Sequence, residues 1–245
     1  MNKTCDYKLT VVVPVYNEED NIFSLKTRLG DFIKNSLVPS CILFVNDGSV
    51  DESGKLLREI CSKNRDFFYL EFDNNQGLSA AIKAGIDHTF SDYVGYIDAD
   101  LQTDPEDFNK LIPYASDYEL VLGIRADRKD SFVKNTSSKI ANSFRRFMTK
   151  DGVSDTGCPL KIMKTSYAKK IPFFTGMHRF LPALIQLQNG LVKEVPVRHY
   201  PRVAGKSKFN LGNRLVSPLV DCFAYKWMKN RYFNYSVKSD NLDRE

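Results

Sequence analysis

Apolar runs alternate with polar, helix-patterned segments through the first half of the chain, in a repeating order of run, turn and helix. Leu9–Val15 reads LTVVVPV, a short β-rich stretch, and polar Asn17, Glu18, Glu19, Asp20 and Asn21 follow it as a helix start. A helix over 18–34 places Ile22, Leu25, Leu29, Phe32 and Ile33 on one face. The cycle then repeats. Cys41–Val45 (CILFV) leads through a turn at Asn46-Asp47-Gly48-Ser49 to a helical pattern over 51–63. Residues 67–72 and 77–89 form a third pair, and Tyr93–Ile97 runs into Asp98-Ala99-Asp100-Leu101-Gln102. A fifth apolar run spans Leu120–Ile124. Nearly uniform apolar strands between amphipathic helices predict a parallel sheet covered on both faces. Ligands of such sheets lie at the carboxyl ends of the strands.

The polar residues that follow the strands collect at that edge. They are Pro14, Tyr16, Asn17 and Glu18 after the first strand, Asp47, Ser49 and Asp51 after the second, Asn75 and Gly77 after the third, and Asp98, Asp100 and Gln102 after the fourth. Two carboxylates at i and i+2, where a buried strand becomes a loop, suit a hard divalent cation. Mg2+ and Mn2+ take oxygen ligands and keep positions for water and substrate phosphates. Singly, each feature has an ordinary reading: Asp51 as a helix cap, Asn46–Ser49 as a turn, Asp-x-Asp as an acidic loop. Their joint occurrence in four loops at one edge points to a single cleft.

These motifs resemble glycosyltransferase family 2 with the GT-A fold. The resemblance rests on Val13-Pro14-Val15-Tyr16-Asn17-Glu18-Glu19, Val45-Asn46-Asp47-Gly48-Ser49-Val50-Asp51, Asn75-Gln76-Gly77 with Ala80, Ala81 and Gly85, and Asp98-Ala99-Asp100-Leu101-Gln102. It extends through Gly123-Ile124-Arg125 and Ser154-Asp155-Thr156-Gly157-Cys158-Pro159-Leu160-Lys161 to the segment 198–210. Within the family the chain is most similar to the polyprenyl-phosphate glycosyltransferases, which include dolichol-phosphate mannose synthase and bacterial undecaprenyl-phosphate sugar transferases.

The resemblance implies an α/β GT-A architecture: a Rossmann-like, mostly parallel sheet flanked by helices, with C-terminal amphipathic membrane-associating elements. One domain is expected over 1–235, its nucleotide-sugar half about 1–125 and its acceptor half about 126–235, followed by a polar tail over 236–245. Pro14, Tyr16, Glu18, Asp47, Asp51, Asn75, Gly77 and Asp98 are implied at the nucleotide-sugar, with Asp47 on the base. Asp98, Asp100 and Gln102 are implied at a Mg2+ or Mn2+ ion, with Asp100, Asp155 and Arg125 as the catalytic set. Many relatives carry two successive acids where this chain has Asn46-Asp47, so base recognition falls on Asp47. The donor implied is a UDP- or GDP-sugar, the acceptor a polyprenyl phosphate, and the stereochemistry inversion.

Chemistry supports that outline. A cation neutralises the departing diphosphate, and a lipid phosphate is already anionic, so charge neutralisation and positioning dominate over base catalysis. Basic residues are then expected near the acceptor: Arg125 and Arg128 after the fifth run, and Arg202, Lys206 and Lys208 in RVAGKSKFN, where Arg202, Lys206 and Ser207 would close over two phosphates as a lid with Gly205 as its flexible point. A soluble saccharide acceptor would instead need a carboxylate base, with Asp155 the candidate. A catalytically silent nucleotide-sugar binder is the alternative from another class. No G-x-G-x-x-G follows the first strand, which disfavours a dinucleotide enzyme, and an Asp-x-Asp phosphohydrolase would place its motif after the first strand, not the fourth. No nucleic-acid role is expected.

Composition fits one α/β domain of 245 residues, 27% of them charged. The start, MNKTCDYKLT, lacks a signal peptide's apolar region. Five scattered cysteines, Cys5, Cys41, Cys61, Cys158 and Cys222, read as reduced thiols. Leu215–Met228 contains Asp221 and Lys226 and falls short of the roughly 20 apolar residues of a membrane span. A cytoplasmic enzyme, peripheral on the inner membrane face, is therefore expected, with an integral membrane partner a further candidate. Residues 198–231 carry eight Lys/Arg against one acid, interleaved with Phe209, Leu211, Leu215, Phe223, Tyr225 and Trp227, which suits an anionic leaflet. Ile171–Leu184 has two open readings, core packing or contact with the headgroup layer.

Overall fold

The computed structural model describes residues 6–125, 143–200, 211–235 and 238–239. Seven strands form one sheet: β1 Leu9–Val15, β2 Ser40–Asn46, β3 Phe67–Glu71, β4 Tyr93–Tyr96, β5 Leu120–Arg125, β6 Lys161–Lys164 and β7 Val192–Val197. Their order is β3-β2-β1-β4-β6-β5-β7. β1 to β4 are mutually parallel, β7 runs parallel to β5, and β6 is antiparallel to both β4 and β5. The mostly parallel sheet flanked by helices is the GT-A-like arrangement expected, with one reversed strand inserted.

All seven residues of β1 are buried, because helices cover both faces. Val11 and Val13 face one layer with Ile22, Leu25, Leu29 and Phe32 of α1 (Ile22–Asn35) and Leu57 and Ile60 of α2 (Ser53–Lys63). Val12 faces the opposite layer with Ala81, Ile82 and Ile86 of α3 (Leu78–Asp87). Beyond α4 (Phe108–Leu111), residues 143–149 form α5, followed by α6 (Thr165–Ala168), α7 (Leu181–Leu187) and α8 (Leu211–Lys229). The segment Ile171–Leu184 belongs to the core: Met177, Phe180, Leu181 and Leu184 are buried, and Phe180 stacks on Tyr225 of α8 at 5.8 Å. The headgroup-layer reading of those residues is thereby corrected, since their apolar surface is spent on anchoring α8.

Pro14 sits within a central strand, where a missing N–H ordinarily breaks the ladder. The β1–β4 pairing ends at Val12↔Tyr96, with the Ile97 N–H donating to the Val12 carbonyl at 3.2 Å. Pro14 points toward the side where β4 has already diverged. The gap opened there, between β1 and β4, is the switch point of the sheet. Cys41, Cys158 and Cys222 are buried free thiols, and Cys61 is half-buried and free. Among the described residues no helix is long and apolar enough to cross a membrane.

Candidate active site

The loops after β1 and β2 are stitched to each other. The Asn17 N–H donates to Ser49 Oγ at 3.0 Å, the Val50 N–H to Asn17 Oδ1 at 2.9 Å, and the Glu18 N–H to Ser53 Oγ at 2.9 Å. Asp51 caps α2 by accepting from the Ser53 N–H at 2.9 Å, and reaches back to the Glu19 N–H. Tyr16 and Glu18 lie half-buried in the first loop. Asn17 adopts φ 50°, a left-handed conformation that Asn tolerates better than most residues.

Asp47 ties the third loop to the second. Its carboxylate accepts from the Gln76 N–H at 2.7 Å, the Gly77 N–H at 2.9 Å and Asn75 Nδ2 at 2.9 Å. Burial raises its pKa, opposed by the Gln76 and Gly77 amides. Gly48, at φ +65°, lets the Asn74 backbone approach to 2.3 Å from where a Cβ would stand. Beside Asp47, the Asn46 amide is committed: Nδ2 donates to Glu71 Oε1 at 2.9 Å, and Oδ1 accepts from the Ser49 N–H at 3.1 Å. Glu71 also holds Arg58 at 2.6 Å. The acid missing from the second motif is thus replaced by an amide that a neighbouring carboxylate requires.

The acidic loop leaves β4 with Asp98 and Asp100 half-buried. Tyr96 Oη donates to Asp98 Oδ1 at 2.5 Å, and the Gln102 N–H donates to Asp100 Oδ1 at 3.1 Å. Burial, then the charge of Asp98, pushes the Tyr96 phenol up, so it remains a donor. Leu101 is buried with φ 57°, a strained conformation that turns the chain between Asp100 and Gln102. The Tyr200 N–H bonds to the Gln102 carbonyl at 2.8 Å. Tyr200, which follows β7, is thereby held against the acidic loop.

A third group lies across the cleft. Arg125, the last residue of β5, grips Asp155 through Nε to Oδ2 and Nη2 to Oδ1, both at 2.7 Å. A Cβ at Gly157 would stand 2.9 Å from Arg125 Nη2, so glycine gives the guanidinium its room. Glu194 of β7 fixes the preceding turn, accepting from the Ser154 N–H at 2.8 Å and Ser154 Oγ at 2.7 Å. Beneath them lies buried Lys161. Its Nζ donates to the carbonyls of Thr156, at 3.3 Å, and Cys158, and stands 5.6 Å from the centre of the Tyr96 ring. Burial lowers its pKa, opposed by Cys158, Asp98 and Asp155. On the α3 side, Ser79 Oγ accepts from the Gly176 N–H and meets His178 Nδ1, both at 3.0 Å. Burial, reinforced by Arg179 and Lys161, lowers the His178 pKa to about 3.

The expected residues Pro14, Tyr16, Glu18, Asp47, Asp51, Asn75, Gly77, Asp98, Asp100, Gln102, Arg125 and Asp155 all fall at this sheet edge or in the loops it carries. Arg128, Arg202, Lys206 and Ser207 lie outside the described residues. Sequence reading gave no role to Asn46, Lys161, Ser79, His178 or Glu194. Of these, Asn46 shows in the sequence as the amide where many relatives carry an acid, and Lys161 as one of the two lysines that bracket the apolar pair Ile162-Met163.

Asp98 and Asp100 are a donor set that fits a hard divalent ion. Among the described residues no group of three His, Cys, Asp or Glu gathers to hold a metal. Protein carboxylates completed by phosphate oxygens and water are the usual mode for Mg2+ in nucleotide sites.

The sheet-edge cleft, its stitched loops and the Asp-x-Asp at the switch point are those of a GT-A-like α/β protein. The chain belongs to glycosyltransferase family 2, whose family model, Glycosyl transferase family 2, matches residues 10–172. It is 33% identical over 218 residues to an undecaprenyl-phosphate 4-deoxy-4-formamido-L-arabinose transferase of Edwardsiella ictaluri, covering 87% of this chain and 67% of the relative. The fold is similar to a mannosyltransferase of Pyrobaculum calidifontis in complex with GDP-Man and Mn2+, at TM-score 0.67 and 18% identity, over 94% of this chain and 66% of that one. It is equally similar, at TM-score 0.67 and 13% identity, to glucosyl-3-phosphoglycerate synthase of Mycobacterium tuberculosis in complex with Mn2+, UDP and glucosyl-3-phosphoglycerate, over 90% of this chain and 81% of that one. The chain thus spans about two thirds of the length of the first two.

Proposed function

We propose that the protein is an inverting glycosyltransferase that moves a hexose-type sugar from a UDP- or GDP-sugar to a polyprenyl phosphate, of undecaprenyl type, at a membrane surface. The observation that carries this reading is the Arg125–Asp155 pair. Asp155 is the candidate base for a hydroxyl acceptor, and its carboxylate accepts two guanidinium bonds at 2.7 Å. A carboxylate so engaged is a poor base. A lipid phosphate needs none. Its anionic oxygen forms the new bond to the anomeric carbon while the bond from that carbon to the diphosphate breaks, the electron pair leaving with the nucleoside diphosphate. No proton moves.

Asp98, Asp100 and Gln102 would hold Mg2+ or Mn2+, which when bound neutralises charge developing on the departing diphosphate. Tyr96 orients Asp98 through its hydroxyl, and the Gln102 N–H orients Asp100. Tyr16, Glu18, Asp51 and the loop held by Asp47 would line the nucleoside, with Pro14 leading into that pocket. Arg125 is aimed by Asp155 and would meet the acceptor phosphate together with Arg128, Arg202, Lys206 and Ser207. The relative named for undecaprenyl phosphate and the two folds carrying Mn2+ with a nucleotide support this assignment.

The membrane part of the proposal rests on α8. Its Cys222 and Tyr225 are buried, while Val220, Phe223 and Trp227 on the opposite side are more than 60% exposed, with the Phe223 ring 6.4 Å from that of Phe144 in α5. Apolar rings next to Lys226, Lys229 and Arg231 suit an anionic lipid surface.

The test is transfer of label from UDP- and GDP-sugars into undecaprenyl phosphate with Mg2+ or Mn2+, with EDTA as control. Metal-dependent label in the organic phase is expected. Donor binding without lipid product would overturn the acceptor assignment.

A further inference from the structure

Lys161 has no place in the chemistry above, yet it is 2% exposed and lies between the two halves of the cleft. It opens β6, opposite Tyr96 of β4 on one side and Leu122 of β5 on the other. An antiparallel strand starts at the edge where its parallel neighbours end, so β6 presents its first residue to the site. From there the ammonium makes two kinds of contact. It donates to the carbonyls of Thr156 and Cys158, inside the turn that carries Asp155. It also stands 5.6 Å over the ring of Tyr96, whose hydroxyl holds Asp98. A buried lysine is retained against a large desolvation cost only where such partners compensate it.

We infer that Lys161 is a positioning residue for sugar transfer, bracing the 155–158 turn against β4 so that the Arg125–Asp155 pair faces the acidic loop across the cleft at a set separation. The brace acts on the acceptor side, because both of its hydrogen bonds end on the turn and only a ring contact reaches β4. It rests on the acceptor role proposed above for Arg125.

The test compares Lys161→Met, which keeps length but removes all donors, with Lys161→Gln, which keeps an N–H donor without charge. Hydrogen exchange of peptides covering 153–158 and 96–103 is read first, because it needs no acceptor. In Lys161→Met, exchange over 153–158 should rise about tenfold or more, as expected for losing hydrogen bonds to a charged group, and exchange over 96–103 should stay near wild type. In the lipid-transfer assay, the acceptor KM of Lys161→Met should rise by about tenfold with donor KM changed less than about threefold, Lys161→Gln falling between. Unchanged exchange over 153–158 in either folded variant overturns the inference, as does a parallel loss on donor and acceptor sides. A wild-type protein that makes no lipid product, with the exchange difference present, sinks the acceptor assignment and upholds the brace.

Discussion

Arg125 and Asp155 meet in a two-pronged ion pair, Nε to Oδ2 and Nη2 to Oδ1 at 2.7 Å, with side chains only 11% and 12% exposed. Removing one partner of such a pair strands the other charge away from water. Asp155→Ala is expected to cost about 3 kcal/mol in urea unfolding and to lower transfer to lipid phosphate sharply. Asp155→Asn, which keeps an oxygen acceptor for the guanidinium, should lose less stability than Asp155→Ala; a rate lost in Asp155→Asn with acceptor KM unchanged would instead mark Asp155 as a proton acceptor.

Asp100→Ala should leave the fold intact, because the residue sits half-buried in a loop beyond β4 and not in the core. Turnover should drop by at least about a hundredfold, the scale of losing transition-state charge stabilisation. Circular dichroism and a Mn2+ titration of activity check both halves. Substantial activity at ordinary Mn2+ would remove Asp100 from the cation site.

Asn46→Asp would restore the acid common among relatives, and it should destabilise this chain. The new carboxylate would face Glu71 Oε1 where the amide now donates at 2.9 Å. A loss of about 1–3 kcal/mol is expected, recovered in part by adding Glu71→Gln, and a double-mutant cycle measures the coupling.

His178 sets an acid limit to stability. Its folded pKa of about 3 lies below the ordinary 6.5. Between those values the unfolded chain binds a proton that the folded chain refuses, so stability falls as pH drops below 6.5 and levels off near 3. The slope is at most about 1.4 kcal/mol per pH unit from this one group. Melting curves for wild type and His178→Gln over that range should converge toward acid pH. Parallel curves would remove His178 as the cause.

Val220→Ser with Trp227→Ser should leave stability within about 1 kcal/mol, since both side chains are more than 60% exposed and the Trp227 ring meets the exposed Arg231 guanidinium. Binding to vesicles containing anionic lipid should fall more than about tenfold, as two large apolar groups lose their burial. Vesicle binding equal to wild type would place the membrane contact elsewhere.

The donor half was legible because its signals are local. An unbroken LTVVVPV, a polar turn and a 3.6-period helix each declare themselves within one element, and β1 matches its expected span residue for residue. The other half depends on pairings far apart in the chain. β6 is a four-residue strand headed by a lysine, and its partners β4 and β5 lie about 65 and 40 residues earlier, so no periodicity announces it. The Ile171–Leu184 segment shows the same limit. Its composition fits core or lipid surface equally, and only the stacking of Phe180 on Tyr225 decides for the core. Asn46 stood out as an amide beside Asp47, but its partner did not, because Glu71 lies 25 residues away.

The reversed strand has an evolutionary consequence. β5 ends at Arg125 and β6 begins at Lys161 on the same rim of the sheet, because the two strands run antiparallel. A change in the length of chain joining those two ends would re-thread no strand. On the acceptor role proposed for Arg125, acceptor preference is then the trait that could change with the least disturbance to the sheet.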